Sequence, residues 1–384
     1  MTYAQGRLFH DADSHIMELP DFLISHADPE LRARMPRITV DAPRLQAGLE
    51  VAQRLGGHPK ERVSELVALG DGLISGPKGY LALGAFNGAE RAQALDQLGF
   101  SRQLVFATFS EGIAFSEKRP LQERYGAARA HNRAMAEFCA ADKRLMGVAL
   151  LPLDDTALTL DELEHVISLG LRAVWVPHRP CGERSPGHNE LDPVWARLAE
   201  ARLPFLLHVG GHPLQIGRAW MNTGRSVPTD WLGGGENVRG KDMTSLHHNA
   251  ETFIGTLVLD GVFERHRNLR GGAIELGAGW VPSMLKRLDW IAEIWRKSEP
   301  DLKALTRKPS EQIIEHMAFT PYPYEDVGDL IGQSESSLYL FSSDYPHVEG
   351  GRNPLGRFEA SLEGCDDAAR ERFYASNFVK LFTL

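Results

Sequence analysis

Pro204-Phe205-Leu206-Leu207-His208-Val209-Gly210-Gly211 is a short apolar run that reaches a histidine and ends on two glycines. It is too short for a buried helix, and uniform apolar character suits a strand covered on both faces, as in a parallel sheet. Upstream, residues 192–201 have helical spacing with Pro193 in the first turn; downstream, residues 252–265 are again helical in pattern. A buried strand between helices is the repeating unit of an α/β fold.

The same alternation extends in both directions. Strands are predicted over 8–15, 104–109, 145–153, 171–178, 204–210, 273–276, 317–322 and 337–344. Helices are predicted over 122–141, 161–169, 192–201, 252–265 and 282–295, with a closing pair over 357–362 and 367–382. Eight strands with intervening helices predict an α/β fold of the (β/α)8 TIM-barrel type. No Gly-x-Gly-x-x-Gly follows a strand, which argues against a dinucleotide-binding sheet. A barrel of roughly 250 residues with insertions fits a chain of 384, so one domain over 1–384 is expected. Two connections, approximately 17–100 (with the Gly- and Pro-rich 70–88) and 211–249, exceed ordinary βα loops and follow strand C-termini, where barrel active sites are built.

Lys plus Arg total 42 against 51 Asp plus Glu, a formal charge of −9, and no basic stripe occurs, so nucleic acid is not an expected partner. No apolar run is long enough for a membrane span and the N-terminus has no signal-peptide core. Cys139, Cys181 and Cys365 match no zinc or disulfide spacing. A soluble, cytoplasmic enzyme is the expectation.

Chemistry gathers at strand ends. In the first strand, Asp11, Asp13 and His15 share a face by alternation, and ionisable groups directed into a core are costly unless a cation or hydrogen bonds satisfy them. His208 ends the fifth strand. Asp344 ends the eighth, within Ser343-Asp344-Tyr345-Pro346-His347. Imidazole and carboxylate together suit zinc, manganese or iron.

These three segments resemble the amidohydrolase superfamily, in the branch that includes aminocarboxymuconate-semialdehyde decarboxylase-like enzymes, and the resemblance spans nearly the whole chain. It implies a TIM barrel, one or two divalent metal ions, and hydrolysis or nonoxidative decarboxylation of a small or medium carbonyl- or carboxyl-bearing compound. By position it assigns Asp13, His15, His208 and Asp344 as metal ligands, with Asp344 also as acid or base. Related barrels often pair, so a homo-oligomer is a further expectation.

Two departures from the family pattern bear on chemistry. Its usual His-x-His is here Asp13-x-His15, which makes the site more anionic and favours manganese or iron over zinc. Where related decarboxylases offer a histidine on the sixth strand, this chain has Glu275, a candidate catalytic acid or base, or a ligand. Glu275 with His178, and more remotely His248 and Asp11, are candidates for a second metal or for supporting the first. A carboxylate-rich dinuclear site would also suit a non-haem iron oxygenase acting on a natural-product-like substrate; a non-catalytic binding barrel is a third reading. Trp175, Trp220, Trp280 and Arg218 are candidates for the substrate pocket, with Trp231 and Met243 in the second long loop as further aromatic and apolar material.

Overall fold

The computed structural model describes residues 2–40, 43–211, 216–226 and 238–384. Seven strands, β1 (His10–Asp11), β2 (Arg102–Val105), β3 (Leu145–Leu150), β4 (Ala173–Trp175), β5 (Phe205–His208), β6 (Gly271–Ile274) and β7 (Met317–Phe319), pair in parallel in sequence order. The predicted eighth strand is not a regular ladder. Its residues nevertheless bridge the two edges: Leu340 N donates to Phe319 O on the β7 side, and Ala12 N donates to Phe341 O on the β1 side. Paired bridges Phe319–Tyr339 and Ser14–Tyr345 complete the closure. The fold is a TIM barrel, as the alternation of strands and helices predicts.

Alternation along the strands sorts side chains between two packed layers. Leu104, Met146, Val148, Leu150, Ala173, Trp175, Leu206, Ile274, Ala318 and Leu340 pack together inside the barrel, while Val105, Ala149, Val174, Phe205, Leu207, Ala273 and Phe319 pack under the helices. The strands are short because βα loops leave the ladder early. Gly271 has a packing role: a Cβ there would lie 2.4 Å from the Phe205 ring, so only glycine lets β6 run beside it.

Helices start where capping chemistry appears. Asp155 accepts from Leu158 N ahead of Thr156–Ser168, and Asn87 accepts from Glu90 N ahead of Gly88–Leu98, which ends on the left-handed Gly99. The helix expected over 252–265 is two, His248–Leu259 and Val262–Arg265, broken at Gly261 with φ 71°. Among the described residues the connection over 17–100 carries four α-helices, Phe22–His26, Pro43–Leu55, Lys60–Val67 and Gly88–Leu98, so it is a structured insertion. Among the described residues no helix is long and apolar enough to cross a membrane.

Candidate metal centre

Asp13, His15, His208 and Glu275 converge at the C-terminal mouth of the barrel, and one ligating atom from each falls within 4.8 Å of the others. Asp13 Oδ1 lies 3.3 Å from His15 Nε2 and 3.3 Å from His208 Nε2; Glu275 Oε2 lies 3.5 Å from His208 Nε2. Asp344 joins from the closing segment, 3.6 Å from His15 Nε2. The structure thus brings three of the four predicted ligands, Asp13, His15 and His208, together with Glu275, and places the fourth, Asp344, in an adjoining group with His15 and His347.

The second imidazole nitrogens fix the tautomers. His15 Nδ1 is 2.7 Å from Ala107 O and His208 Nδ1 is 2.8 Å from Val209 O; a carbonyl only accepts, so both Nδ1 atoms carry the proton. With Nδ1 protonated in each ring, both Nε2 atoms face carboxylate oxygens. Burial, and then the neighbouring His347, push His15 down to about 3, so the ring stays neutral. Asp13 lies below the usual carboxylate range: burial opposes this, but His208 and His15 more than offset it. His15 Nε2 and Asp344 Oδ2 are buried and make no hydrogen bond. Imidazoles anchored through Nδ1 and facing buried carboxylates form a donor set suited to a divalent cation, and backbone anchoring of the far nitrogen is the usual way to orient such ligands.

Glu275 and Asp344 share an unusual backbone. Each follows the end of a barrel strand in left-handed conformation, φ 55° and 52°. This costs a non-glycine residue about 1 kcal/mol or more, and such strain is retained where surrounding contacts impose it. For Glu275 the restraints are Thr320 Oγ1, which accepts from its N–H at 2.8 Å, and Tyr322 OH, which donates to its carbonyl at 2.9 Å. For Asp344, its N–H donates to Asp13 O at 2.9 Å and its carbonyl accepts from His347 N at 2.8 Å.

His347 is the residue the sequence reading passed over, although it lies in the quoted Ser343–His347 segment. It stacks on His15 with ring centroids 3.9 Å apart, and its Nδ1 is 3.2 Å from Asp344 Oδ1. The Thr108 hydroxyl donates to Ile16 O at 2.8 Å, so at 3.0 Å it accepts from His347 Nε2–H. His347 Nδ1 therefore shows a lone pair to Asp344, whose proton affinity burial raises despite His347 and Lys78. One proton held between these two groups satisfies both. The signal for His347 was its spacing, three residues beyond Asp344; nothing in the sequence said that the chain turns back there.

Other candidates lie elsewhere. Asp11 does not share the face of Asp13 and His15, because regular pairing of β1 stops at Asp11 and alternation stops with it. Its carboxylate accepts from Gln103 Nε2 at 2.8 Å, Ser343 N at 2.8 Å and Ser343 Oγ at 2.6 Å, tying β1 to the closing segment, and burial raises it to about 7. His178 is buried beside Gly211, where a Cβ would lie 2.7 Å from its Nδ1, and it belongs to neither ligand group. His248 is exposed at the start of its helix, against His247.

A cavity of about 550 Å³ opens onto the cluster, lined by Asp13, Glu275 and Asp344 at its floor and by Met243, Leu246, Tyr322, Tyr324 and Val348 on its walls. The predicted tryptophans do not line it. Trp175 is buried beneath, its ring 4.8 Å from His208; Trp280 donates from Nε1 to Leu276 O and Gly277 O and stacks on His247; Trp220 is 76% exposed. The side chain of Arg218 lies outside the described residues, as do His212 and Trp231. A second cavity, of about 710 Å³, lies beside Phe22, Phe86 and Phe138 and contains no member of the ligand groups.

Comparison with known proteins matches this architecture. The chain is similar to an amidohydrolase from Mycobacterium avium subsp. paratuberculosis, with 23% identity and TM-score 0.74 over 98% of this chain and 99% of that one. It is also similar to a dihydroxybenzoic acid decarboxylase from Polaromonas sp. JS666, solved with manganese and the inhibitor 2-nitroresorcinol (17% identity, TM-score 0.62, 98% and 97% covered). A third likeness is to 5-carboxyvanillate decarboxylase from Sphingomonas paucimobilis (17%, 0.60, 98% and 99%). At such identities these likenesses establish the shared barrel. No curated protein matches the sequence. The family model described as amidohydrolase matches residues 85–384, most of the chain and every barrel strand after β1, and the chain belongs to the amidohydrolase family.

Proposed function

We propose that the protein is a divalent-metal-dependent enzyme that removes carbon dioxide, without oxidation, from a small carboxylated organic compound. The observation that carries this reading is the convergence of His15 and His208, each anchored through Nδ1 on a backbone carbonyl, with Asp13, Glu275 and Asp344 at the cavity floor. Asp13, His15, His208 and Asp344 would hold the metal, with Glu275 beside them. When bound, the metal supplies Lewis acidity and a positive charge that orients an anionic substrate. The decarboxylases among the similar structures, two of them holding manganese, support the choice of reaction and metal.

Loss of carbon dioxide leaves an electron pair on the carbon that carried it, and that carbon must receive a proton. The Asp344–His347 pair holds one proton at the cavity floor, with the Asp344 carboxyl as its donor face. Tyr322, Tyr324, Met243 and Leu246 give the cavity an apolar wall that suits a planar or aromatic body.

One metal is favoured over two. The second ligand group, His15, Asp344 and His347, uses the same His15 Nε2 as the first, and His15 Nδ1 is committed to Ala107 O. One nitrogen lone pair serves one ion. This weighs against a dinuclear oxygen-activating centre.

The test is elemental analysis of protein purified without added metal, followed by screening of hydroxylated aromatic carboxylic acids for carbon dioxide release. About one manganese, iron or zinc per chain, with release abolished by chelation and restored by manganese, is expected. A chain that binds no divalent metal overturns the reading, and oxygen consumption with substrate replaces decarboxylation by oxygenation.

A further inference from the structure

The helix Val281–Trp295, which follows β6 and Glu275, is apolar on two sides. Met284, Leu288 and Ile291 recur at helical spacing and pack into the core, which accounts for one side. On the other side Trp290 and Ile294, one turn apart, are 47% and 58% exposed, and Trp295 at the helix end is 43% exposed. An outward helix face is ordinarily polar. Two tryptophans and an isoleucine exposed on one helix are apolar area of the kind that protein interfaces cover.

Charges are ordered on the same face. With a step of about 100° per residue, Lys286, Trp290, Glu293 and Ile294 fall within one stripe about 100° wide, and all four are exposed. The charges flanking this stripe are engaged elsewhere: Arg287 pairs with Glu251, and Asp289 accepts from Ser310 N and Ser310 Oγ. Lys286 and Glu293 enter no ion pair among the described residues.

That order makes the face complementary to itself. When two copies of a helix meet antiparallel about a two-fold axis, residue i of one lies opposite residue j of the other with i + j constant, and every contact occurs twice. An axis at Trp290 puts Trp290 against its own counterpart and sets Lys286 opposite Glu293 and Ile294 of the second copy. The ammonium then meets a carboxylate while the Lys286 stem covers the isoleucine. No like charges meet in this arrangement. A two-fold axis running along the helix would instead set Lys286 on Lys286 and Glu293 on Glu293, which like-charge repulsion disfavours.

We propose that this face of Val281–Trp295 is the contact surface of a symmetric dimer: a second copy of the chain docks antiparallel with Trp290 at the two-fold axis and Lys286 paired with Glu293 of the second copy. Trp290 and Ile294 supply the area removed from water, and the two Lys286–Glu293 pairs set direction and register. The surface lies on the outside of the barrel and stands apart from the metal-dependent reading.

The experiment is sedimentation velocity of the full chain over a range of concentrations, for wild type, Trp290→Ser, Lys286→Glu, Glu293→Lys and the double variant Lys286→Glu with Glu293→Lys, with thermal unfolding as the folding control. The expected result is a wild-type dimer whose dissociation constant rises about tenfold or more in each single variant and returns to within about threefold of wild type in the double variant, where the same pairs form with their sides exchanged. Ile294→Ser replaces the Trp290 variant if that one does not fold. A monomeric wild type overturns the proposal, and cosedimentation of that monomer with phosphatidylcholine vesicles assigns the face to a membrane surface instead. A dimer indifferent to loss of Trp290 overturns this face as its contact. A double variant no tighter than the singles overturns the antiparallel pairing.

Discussion

Glu275, just past β6, and Asp344, in the segment that closes the barrel, are each in the left-handed region with φ 55° and 52°, and both line the same cavity. Strained acids at two strand ends indicate that their direction matters more than their local stability.

Asp344→Asn keeps the side-chain shape, and asparagine tolerates the left-handed region. It removes a buried carboxylate whose Oδ2 has no hydrogen bond. The metal-free variant is expected to be about 1–2 kcal/mol more stable than wild type, by denaturant titration. Decarboxylation should fall by about 100-fold or more, since the amide holds no transferable proton. A variant of unchanged activity would remove Asp344 from the chemistry.

Gly350 is where the loop after His347 passes over Asp344. A Cβ there would lie 2.2 Å from Ser343 O and 2.9 Å from Asp344 Cβ. Gly350→Ala is expected to destabilise the protein by about 2 kcal/mol or more and to weaken manganese binding, because Asp344 must move. Unfolding and metal titration measure the two effects separately.

Metal removal should lower stability even without substrate. A metal at about 100 times its dissociation constant adds about 2.7 kcal/mol to a folded state that alone binds it. The unfolding temperature should therefore drop on chelation and recover with manganese, and His208→Ala should abolish the difference between the two conditions. An unfolding temperature indifferent to chelation would contradict the proposed ligand set.

His131 makes acid stability testable away from the metal. Fully buried between Ser110 Oγ at 2.8 Å and Val148 O at 3.3 Å, it is pushed down by burial to about 4. The unfolded chain takes up this proton near pH 6.5 and the folded chain only near 4, so its contribution is present above pH 6.5 and is lost as pH falls between those values. Denaturant titrations from pH 7 to 4 should show a decline, and His131→Leu, less stable at pH 7, should show a shallower one. Equal slopes would mean that His131 already carries its proton when folded.

Much of this molecule is legible along the chain. The run ending at His208 marks a buried strand because a fully apolar segment of that length has no other stable place. Asp13, His15, Glu275 and Asp344 mark strand ends because ionisable residues there leave the hydrophobic ladder where the barrel opens. The strand-end placing of Asp13, His15, His208 and Asp344 depends on local periodicity and on the cost of burying charge; their assignment as metal ligands, and the singling out of Glu275, came from the resemblance to the amidohydrolase superfamily.

Tertiary structure alone decided the rest. Asp11 and Asp13 part company because alternation predicts direction only while ladder hydrogen bonds persist, and those of β1 stop at Asp11. His347 joins the centre by stacking on His15 from the far end of the chain, and the insertion docks against Tyr345 and Pro346 through Leu83 and Gly79. That one His15 nitrogen is common to both ligand groups is likewise a fact of distance. Sequence fixes which groups must be satisfied at the barrel mouth; which of them share a proton, a metal or a charge depends on separations of a few ångströms between elements hundreds of residues apart, and only packing sets those.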